Sequence, residues 1–579
     1  MPTVSDALSS PSPPEGAKLD IPLEGLRLSA VAATARFFAL DTSETYYRGK
    51  QDEGKLYDWD GNMMGYGAEA DIKPGWYVPM KRRKPCARYD LGKLIVTRLT
   101  SMVFGSERFP ALRIEGDADA QDYVKALCDA SHLPTRMIEA RNLGGATGTA
   151  CVSFCFKRGE PRVEVHNAKH CTVLRWEDED ERIVGAVLKT YSYPRQVFEP
   201  SSGKLKTVTY YYARYWDTER EIVWQPITQE QADTSQWQNL AHTEVRHGFG
   251  FCPFYWVQNL PDSQSPDGEG DFEGLEPNFD ELNQILSADS KGVKANCDPT
   301  LVIKMDPNLN EGTVQKGTGE AIFSANGAMY LTLGEGATRA AESTMDKLRQ
   351  YSLDVASVVL ADPSDMSGSA QSAQAMRIIY APMLAKCDML REQYGDMGLR
   401  RILVGMLEAS RKLSSGVTDI QTGEERPQAI NLPPRAVREG DAEDAAVKFV
   451  PRNPGTSSTL VLNWLPYFQP TWADIQSAAQ AVKLANGEKA VISQRTSIEA
   501  VASIFGVTDV DSELRQIGDE KKRDMEEARE AMEMDLALRD EGGENANGDQ
   551  PKPKDPGGAG GGKGETTEAR QKGKEEKAT

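Results

Sequence analysis

The chain is 579 residues long, 39% hydrophobic and 27% charged, with 67 Lys and Arg against 87 Asp and Glu and a formal net charge of −20. At roughly 150 residues per domain, that length predicts two to four domains with a sizeable core in a soluble, somewhat polar chain. The acidic balance disfavours a protein that grips nucleic acid through one large basic surface, but not one that handles DNA without gripping it.

The opening stretch MPTVSDALSSPSPPEG has no apolar run and reads as a polar arm rather than a signal peptide. No stretch approaches the roughly 18 apolar residues of a membrane span. Eight scattered cysteines suit a reducing compartment. A helix is predicted from Ala30 to about Tyr47, followed by a Gly- and Asp-rich loop over 48–80. Leu91, Leu94, Ile95, Leu99, Met102 and Val103 then recur at helical spacing up to Gly105. A second helix is predicted from Asp122 to about Asn142. Alternation with Gly-containing turns predicts strands from GGATGTACVSFCFK through TVTYYYARYW and REIVWQPI, an α+β block ending near Leu260.

PDSQSPDGEGD, rich in Gly, Pro and acids, is predicted to be a linker with no packed element. Beyond it, Phe279, Leu282, Ile285 and Leu286 stripe a helix that Gly292 weakens. Short β runs (TLVIKM, AIF, MYLTL) follow, and a helix from about Thr338 to Val359 closes the excursion, with Met345, Leu348, Leu353 and Val355 on its apolar side. Such a helix–β–helix layout is unusual for an enzyme lobe. A long helical segment is predicted from about Ser372 to Leu413, with Pro382 as a kink. Residues 425–470 read as partly extended, and three helices follow, the last strongly charged. From Glu541 onward the composition is too polar to fold.

Catalytic motifs are missing from this sequence. GTGEAIFSANG lacks the Lys-Ser/Thr pair of a phosphate loop, and GGATGTA follows a helix where a dinucleotide fingerprint follows a strand. His166, His170 and Cys171 are the nearest approach to a ligand cluster, but without a regular partner pair they read as core or surface residues. No cofactor and no metal are expected.

Four stretches carry a resemblance to the portal proteins, or head–tail connectors, of tailed double-stranded DNA phages, siphovirus-like branch. They are DLGKLIVTRLTSMVFG, HGFGFCPFYWVQN, GLEPNFDELNQILSADSKGVKANCDPTLVIK and DMSGSAQSAQAMRIIYAPMLAKCDMLREQYGDMGLRRIL. Each is weak alone; their order and spacing coincide with the helix–β–helix reading. The resemblance implies an α+β portal fold: a flexible arm (1–29), a wing (30–274 and, with a long helix, 374–470), a first stem helix (275–296), a β-containing clip (297–337), a second stem helix (338–358), a tunnel loop (359–373), a helical crown (471–535) and a disordered tail (536–579). It also implies a non-enzymatic, dodecameric ring at one capsid vertex of the virion, assembled in the host cytoplasm without membrane contact. Double-stranded DNA would pass through its channel without sequence-specific binding, during packaging and later ejection. The implied partners are the terminase large subunit, a head-completion or adaptor protein, and the major capsid and scaffolding proteins.

The tunnel loop would comprise Asp365, Met366, Ser367, Gly368, Ser369 and Ala370, small residues that leave room in a channel and lack the aromatic some relatives have. Duplex DNA carries one phosphate charge per about 1.7 Å, so a basic lining would hold it by counterion release while acids would repel it and let it slide. Stem candidates for the lumen are Glu281, Asp289, Glu342 and Asp346, with Lys291, Lys294, Lys347 and Arg349 available for inter-subunit pairs or phosphate contacts. Subunit contacts are expected at Leu282, Ile285, Leu286, Leu348 and Tyr351, and between clip strands 300–305 and 321–333 across subunits. The rival expectations are a capsid scaffold without a DNA channel and a capsid-associated hydrolase or nuclease.

Overall fold

The computed structural model describes residues 34–541 apart from 55–56, 65–76, 106–107, 115, 178–182, 200–202, 235–239, 298–299, 304–327, 332–334, 361–372, 416, 419–424, 427–429, 439–446, 469–471, 486–492, 494, 499–500 and 502–509. The predicted arm and tunnel loop (Asp365–Ala370), the predicted tail from 542 on and most of the predicted clip lie outside the described residues, while 536–541, expected to be disordered, continue a helix. The chain divides into two units, Met1–Thr508 and Asp509–Thr579.

In the first unit the apolar stripe seen in the sequence becomes α2. Helix α1 spans Ala35–Tyr47 and α2 spans Leu91–Phe104, where Leu91, Ile95, Val96, Leu99 and Val103 are buried. Strand β1 (Ala111–Ile114) follows. The single helix predicted over 122–142 is two, α3 (Ala118–Ala130) and α4 (Leu133–Thr147). They break at His132, which takes the left-handed conformation (φ 52°), with Pro at the start of α4. Asp117 caps α3, accepting from Ala120 N at 3.0 Å, and also accepts from Thr456 N at 2.7 Å and Ser457 N at 3.1 Å.

The strands form two principal sheets. Strands β2 (Thr149–Lys157), β3 (Glu160–Asn167) and β10 (Phe254–Gln258) form an antiparallel sheet in the order β10-β2-β3. Strands β4 (Cys171–Trp176), β5 (Val184–Glu199), β6 (Lys204–Trp216), β7 (Arg220–Trp224) and β9 (His242–Arg246) form the second, with the two-residue β8 (Ile227–Thr228) on β6. A short helix α5 (Gln229–Thr234) lies between β8 and β9.

Two long helices follow, α6 (Glu276–Cys297) and α7 (Glu335–Val355), separated by β11 (Thr300–Ile303) and β12 (Ala328–Leu331). The two clip strands form a ribbon of their own, which leaves the outer edge of each unpaired among the described residues. They pair with each other in one chain, antiparallel, with Thr300 opposite Leu331 and Ile303 opposite Ala328. Gly292 does not interrupt α6.

The predicted long helix is broken where Pro382 stands. Helix α8 (Ala373–Ile379) ends at Tyr380, α9 (Ala381–Arg391) starts with Pro in its first turn, and Glu392–Arg400 widens into a π-helix before α10 (Arg401–Ser415). Three glycines in this segment make room for neighbours. A Cβ on Gly395 would sit 2.7 Å from the Trp464 ring, one on Gly398 would touch Met137 and Val257, and one on Gly405 would overlap the Tyr255 hydroxyl. Strand β17 (Leu460–Asn463) pairs with β1, β15 (Arg435–Arg438) with β16 (Val447–Val450), and the two-residue β13 (Val417–Thr418) with β14 (Glu425–Arg426). Helix α11 spans Trp472–Ala485. The described part of the second unit is one helix, α12 (Val510–Glu541).

Candidate functional site

The paired helices α6 and α7 are the candidate site, and their function depends on what holds their bases. Helix α6 lies against the chain through polar and apolar groups together. Phe279 packs on Phe272 with ring centroids 5.8 Å apart. Its ring also approaches Gly92 closely enough that a Cβ there would lie 3.2 Å away. Asn283 Oδ1 accepts from Tyr89 N at 2.8 Å. Ser287 Oγ accepts from Cys86 N at 3.1 Å and Ala87 N at 3.2 Å and donates to Ala87 O at 3.1 Å. Both side chains are buried, so α6 satisfies three backbone amides that would otherwise lack partners. Tyr46 donates to Asp280 Oδ2 at 3.0 Å, and burial together with the Asp280 charge pushes its phenol pKa up. From α7, Arg349 Nε donates to the Tyr89 hydroxyl at 3.2 Å. Segment 86–89 is therefore a common anchor for both helices.

The polar residues predicted from sequence lie on the surface of this pair. Glu281, Lys291, Lys294, Glu342, Asp346, Lys347 and Arg349 are exposed and Asp289 is half-buried. Lys291 pairs within the chain with Asp60 at 3.2 Å, an exposed pair worth little energy. Of the expected subunit contacts, Leu282 is corrected: it is buried inside its own chain and has no face to offer a neighbour. Ile285, Leu286 and Leu348 are half-buried, while Tyr351 is 58% exposed. Helix α6 carries four acids against two lysines and α7 four against three basic residues, so both are acidic.

The predicted linker 261–271 contains no helix or strand, yet it is packed, which corrects the sequence reading. Asp267 takes both oxygens to Arg36, with Nη2 to Oδ1 at 2.8 Å, and Thr149 Oγ1 donates to the same Oδ1 at 2.9 Å. Arg36 also donates to Ala168 O and Cys171 O and lies 5.3 Å from the Trp256 ring centroid. Asp271 and Arg141 are a fully buried ion pair, Nη2 reaching Oδ2 at 2.9 Å and Oδ1 at 3.1 Å. Asn259 Nδ2 donates to Asp271 Oδ1 at 3.1 Å, and the Tyr394 hydroxyl donates to Asn259 Oδ1 at 3.0 Å. Burial opposes the Arg141 charge, but the neighbouring Asp271 carboxylate outweighs it and leaves the guanidinium pKa raised. Lys386 completes the network, donating to Ala356 O at 3.1 Å just beyond α7 and to Asp271 O at 3.4 Å. One cluster thus joins α4, the segment leading into α6, the end of α7, α9 and the π-helix. Local pattern missed it because its acids find their bases 231 and 130 residues away.

His166 is a core histidine. Its Nε2 is 2.7 Å from Ser153 Oγ and its Nδ1 is 2.9 Å from Lys189 Nζ. Burial, reinforced by Lys189 and Arg214, holds its pKa well below the usual range. Cys171 hydrogen-bonds Asn167 O at 3.5 Å. Among the described residues no group of three or more His, Cys, Asp or Glu is placed to hold a metal ion, and no helix is long and apolar enough to cross a membrane.

The chain is thus an α+β protein with two long acidic helices rooted in a buried charge network. The model for "Phage portal protein, SPP1 Gp6-like" matches residues 34–527. The chain belongs to this family of phage portal proteins, the family its four sequence stretches resemble, and like them it is structural and non-catalytic. No curated protein matches it. Among solved structures it is similar to a chain of the virion of a native gene transfer agent particle, at 12% identity and a TM-score of 0.28, over 54% of this chain and 76% of that one. Likeness at that level decides nothing about the fold.

Proposed function

We propose that the chain forms a closed dodecameric ring at one capsid vertex and that double-stranded DNA passes through its central channel during packaging and ejection. The observation that carries this is the family match over 34–527 together with the two long helices flanking a β ribbon. On this reading α6 and α7 are the stem, β11 and β12 belong to the clip, residues 359–373 form the tunnel loop, the sheets belong to the wing and the helices from 471 to 535 to the crown. The terminase large subunit docks on the ring first and a head-completion or adaptor protein later, with the capsid and scaffolding proteins around it.

The electrostatics suit sliding rather than gripping. Glu281, Glu342 and Asp346 are exposed on acidic helices of a chain with net charge −20. Acids facing a phosphate column repel it over roughly 10 Å at 0.1 M salt, a distance that shrinks as salt rises. Native mass measurement of the purified chain tests the assembly. A particle close to twelve copies of the 63.7 kDa chain supports it, and a monomer at every ionic strength sinks it.

A further inference from the structure

An apolar groove of about 420 Å³ opens along strand β10, away from α6 and α7. Residues of both parities of β10 line it, Phe254 and Trp256 from one face and Tyr255 from the other, with Phe251 and Cys252 just before the strand. Side chains alternate between faces along a strand, so a groove touching both parities follows the edge of β10 rather than lying over one face. That edge is open among the described residues, because β10 pairs only with β2. The facing wall is Met397 and Val404, and Ile183 beside it is 39% exposed. An open edge in an apolar groove is a template for strand addition.

The sequence supplies a matching segment. In LDIPLEGLRL, residues 19, 21 and 23 are Leu, Ile and Leu while 20, 22 and 24 are Asp, Pro and Glu, and Leu26 and Leu28 follow Gly25. The alternation of a half-buried strand holds over 19–24 and shifts by one residue at Gly25, as at a β-bulge. Proline is tolerated on an edge strand where its missing N–H faces outward, and there it blocks further addition. The segment also starts close by. The described chain begins at Thr34, and Arg36 two residues on lies against Trp256, itself part of the groove. The five residues 29–33 span up to about 17 Å, enough to pass Trp256.

We propose that residues 19–28 of this chain seat in the groove as an added strand on the edge of β10. The proposal is independent of the channel function.

Hydrogen exchange of the full chain, read by mass spectrometry, tests it. In the double variant Ile21→Asp, Leu23→Asp, the amides of Phe254–Gln258 are expected to exchange at least tenfold faster than in wild type, with β3 unchanged. A control of equal charge, Ser9→Asp with Ser10→Asp, leaves them as in wild type. A second measurement does not depend on exchange. Leu23→Cys with Val404→Cys, mildly oxidised and mapped by peptide mass, is expected to give a disulfide that Ser9→Cys with Val404→Cys does not. Unchanged exchange in the aspartate variant, whether the edge stays open or a second copy covers it, overturns the proposal, as does equal cross-linking from positions 9 and 23.

Discussion

Replacing Asp271 by Ala isolates the buried charge at the base of the paired helices. Arg141 is fully buried and its charge is paired with the Asp271 carboxylate; its Nε and Nη1 have no hydrogen-bond partner among the described residues. Removing the carboxylate leaves the guanidinium uncompensated and deprives Asn259 of an acceptor. Breaking a buried pair in this way costs about 3–5 kcal/mol. At about 1.4 kcal/mol per decade, that raises the population of locally opened molecules by roughly two to nearly four decades. Hydrogen exchange reads this directly as faster exchange in α4 and in 259–271, with β5 and β6 little affected. The double replacement Arg141→Met, Asp271→Leu removes both charges while keeping apolar volume, and is expected to recover most of the loss. A change below tenfold for Asp271→Ala, or a double variant worse than the single one, would refute the reasoning.

Further consequences follow from other contacts. Gly405→Ala drives a methyl into the Tyr255 hydroxyl, an overpacking cost of about 1–3 kcal/mol, and Tyr255→Phe in the same chain is expected to restore part of the denaturant midpoint. Ser287→Ala leaves two backbone amides of 86–87 unpaired and is expected to cost about 1–3 kcal/mol, seen as faster exchange in α6. Three histidines are held below their usual pKa by burial, His170 to about 4, so the unfolded chain takes up protons first as pH falls. Their contribution is full above about pH 6.5 and is lost as the pH drops below it. The urea midpoint of His166→Asn is therefore expected to depend less on pH than that of wild type. Bulky replacements at Gly368 and Ala370 are expected to leave ring assembly normal and impair DNA packaging; unaffected packaging removes the tunnel-loop role.

Much of the architecture was legible wherever periodicity was strong and local. The stripe from Leu91 to Val103, the strand alternation after Thr149 and the helices around 276–297 and 335–355 all follow from side chains burying one face. The errors arose where a distant partner decides the outcome. The small size of Gly395 and Gly405, which admits Trp464 and Tyr255, has no local signature in the helical pattern. Acids at 267 and 271 read as part of an unpacked linker because Arg36 and Arg141 are remote in sequence. The anchors Asn283 and Ser287 left no signal except that small polar residues interrupt an apolar face, which marks a helix docked on backbone. Leu282 follows the same stripe as Ile285 and Leu286, and burial within one chain cannot be told from an interface by spacing alone.

The most direct test of the central claim is a cryo-electron microscopy reconstruction of the purified full chain. A closed ring with α6 and α7 lining a channel wide enough for duplex DNA is the predicted result. A ring whose paired helices face outward, or particles without a central opening, would contradict it.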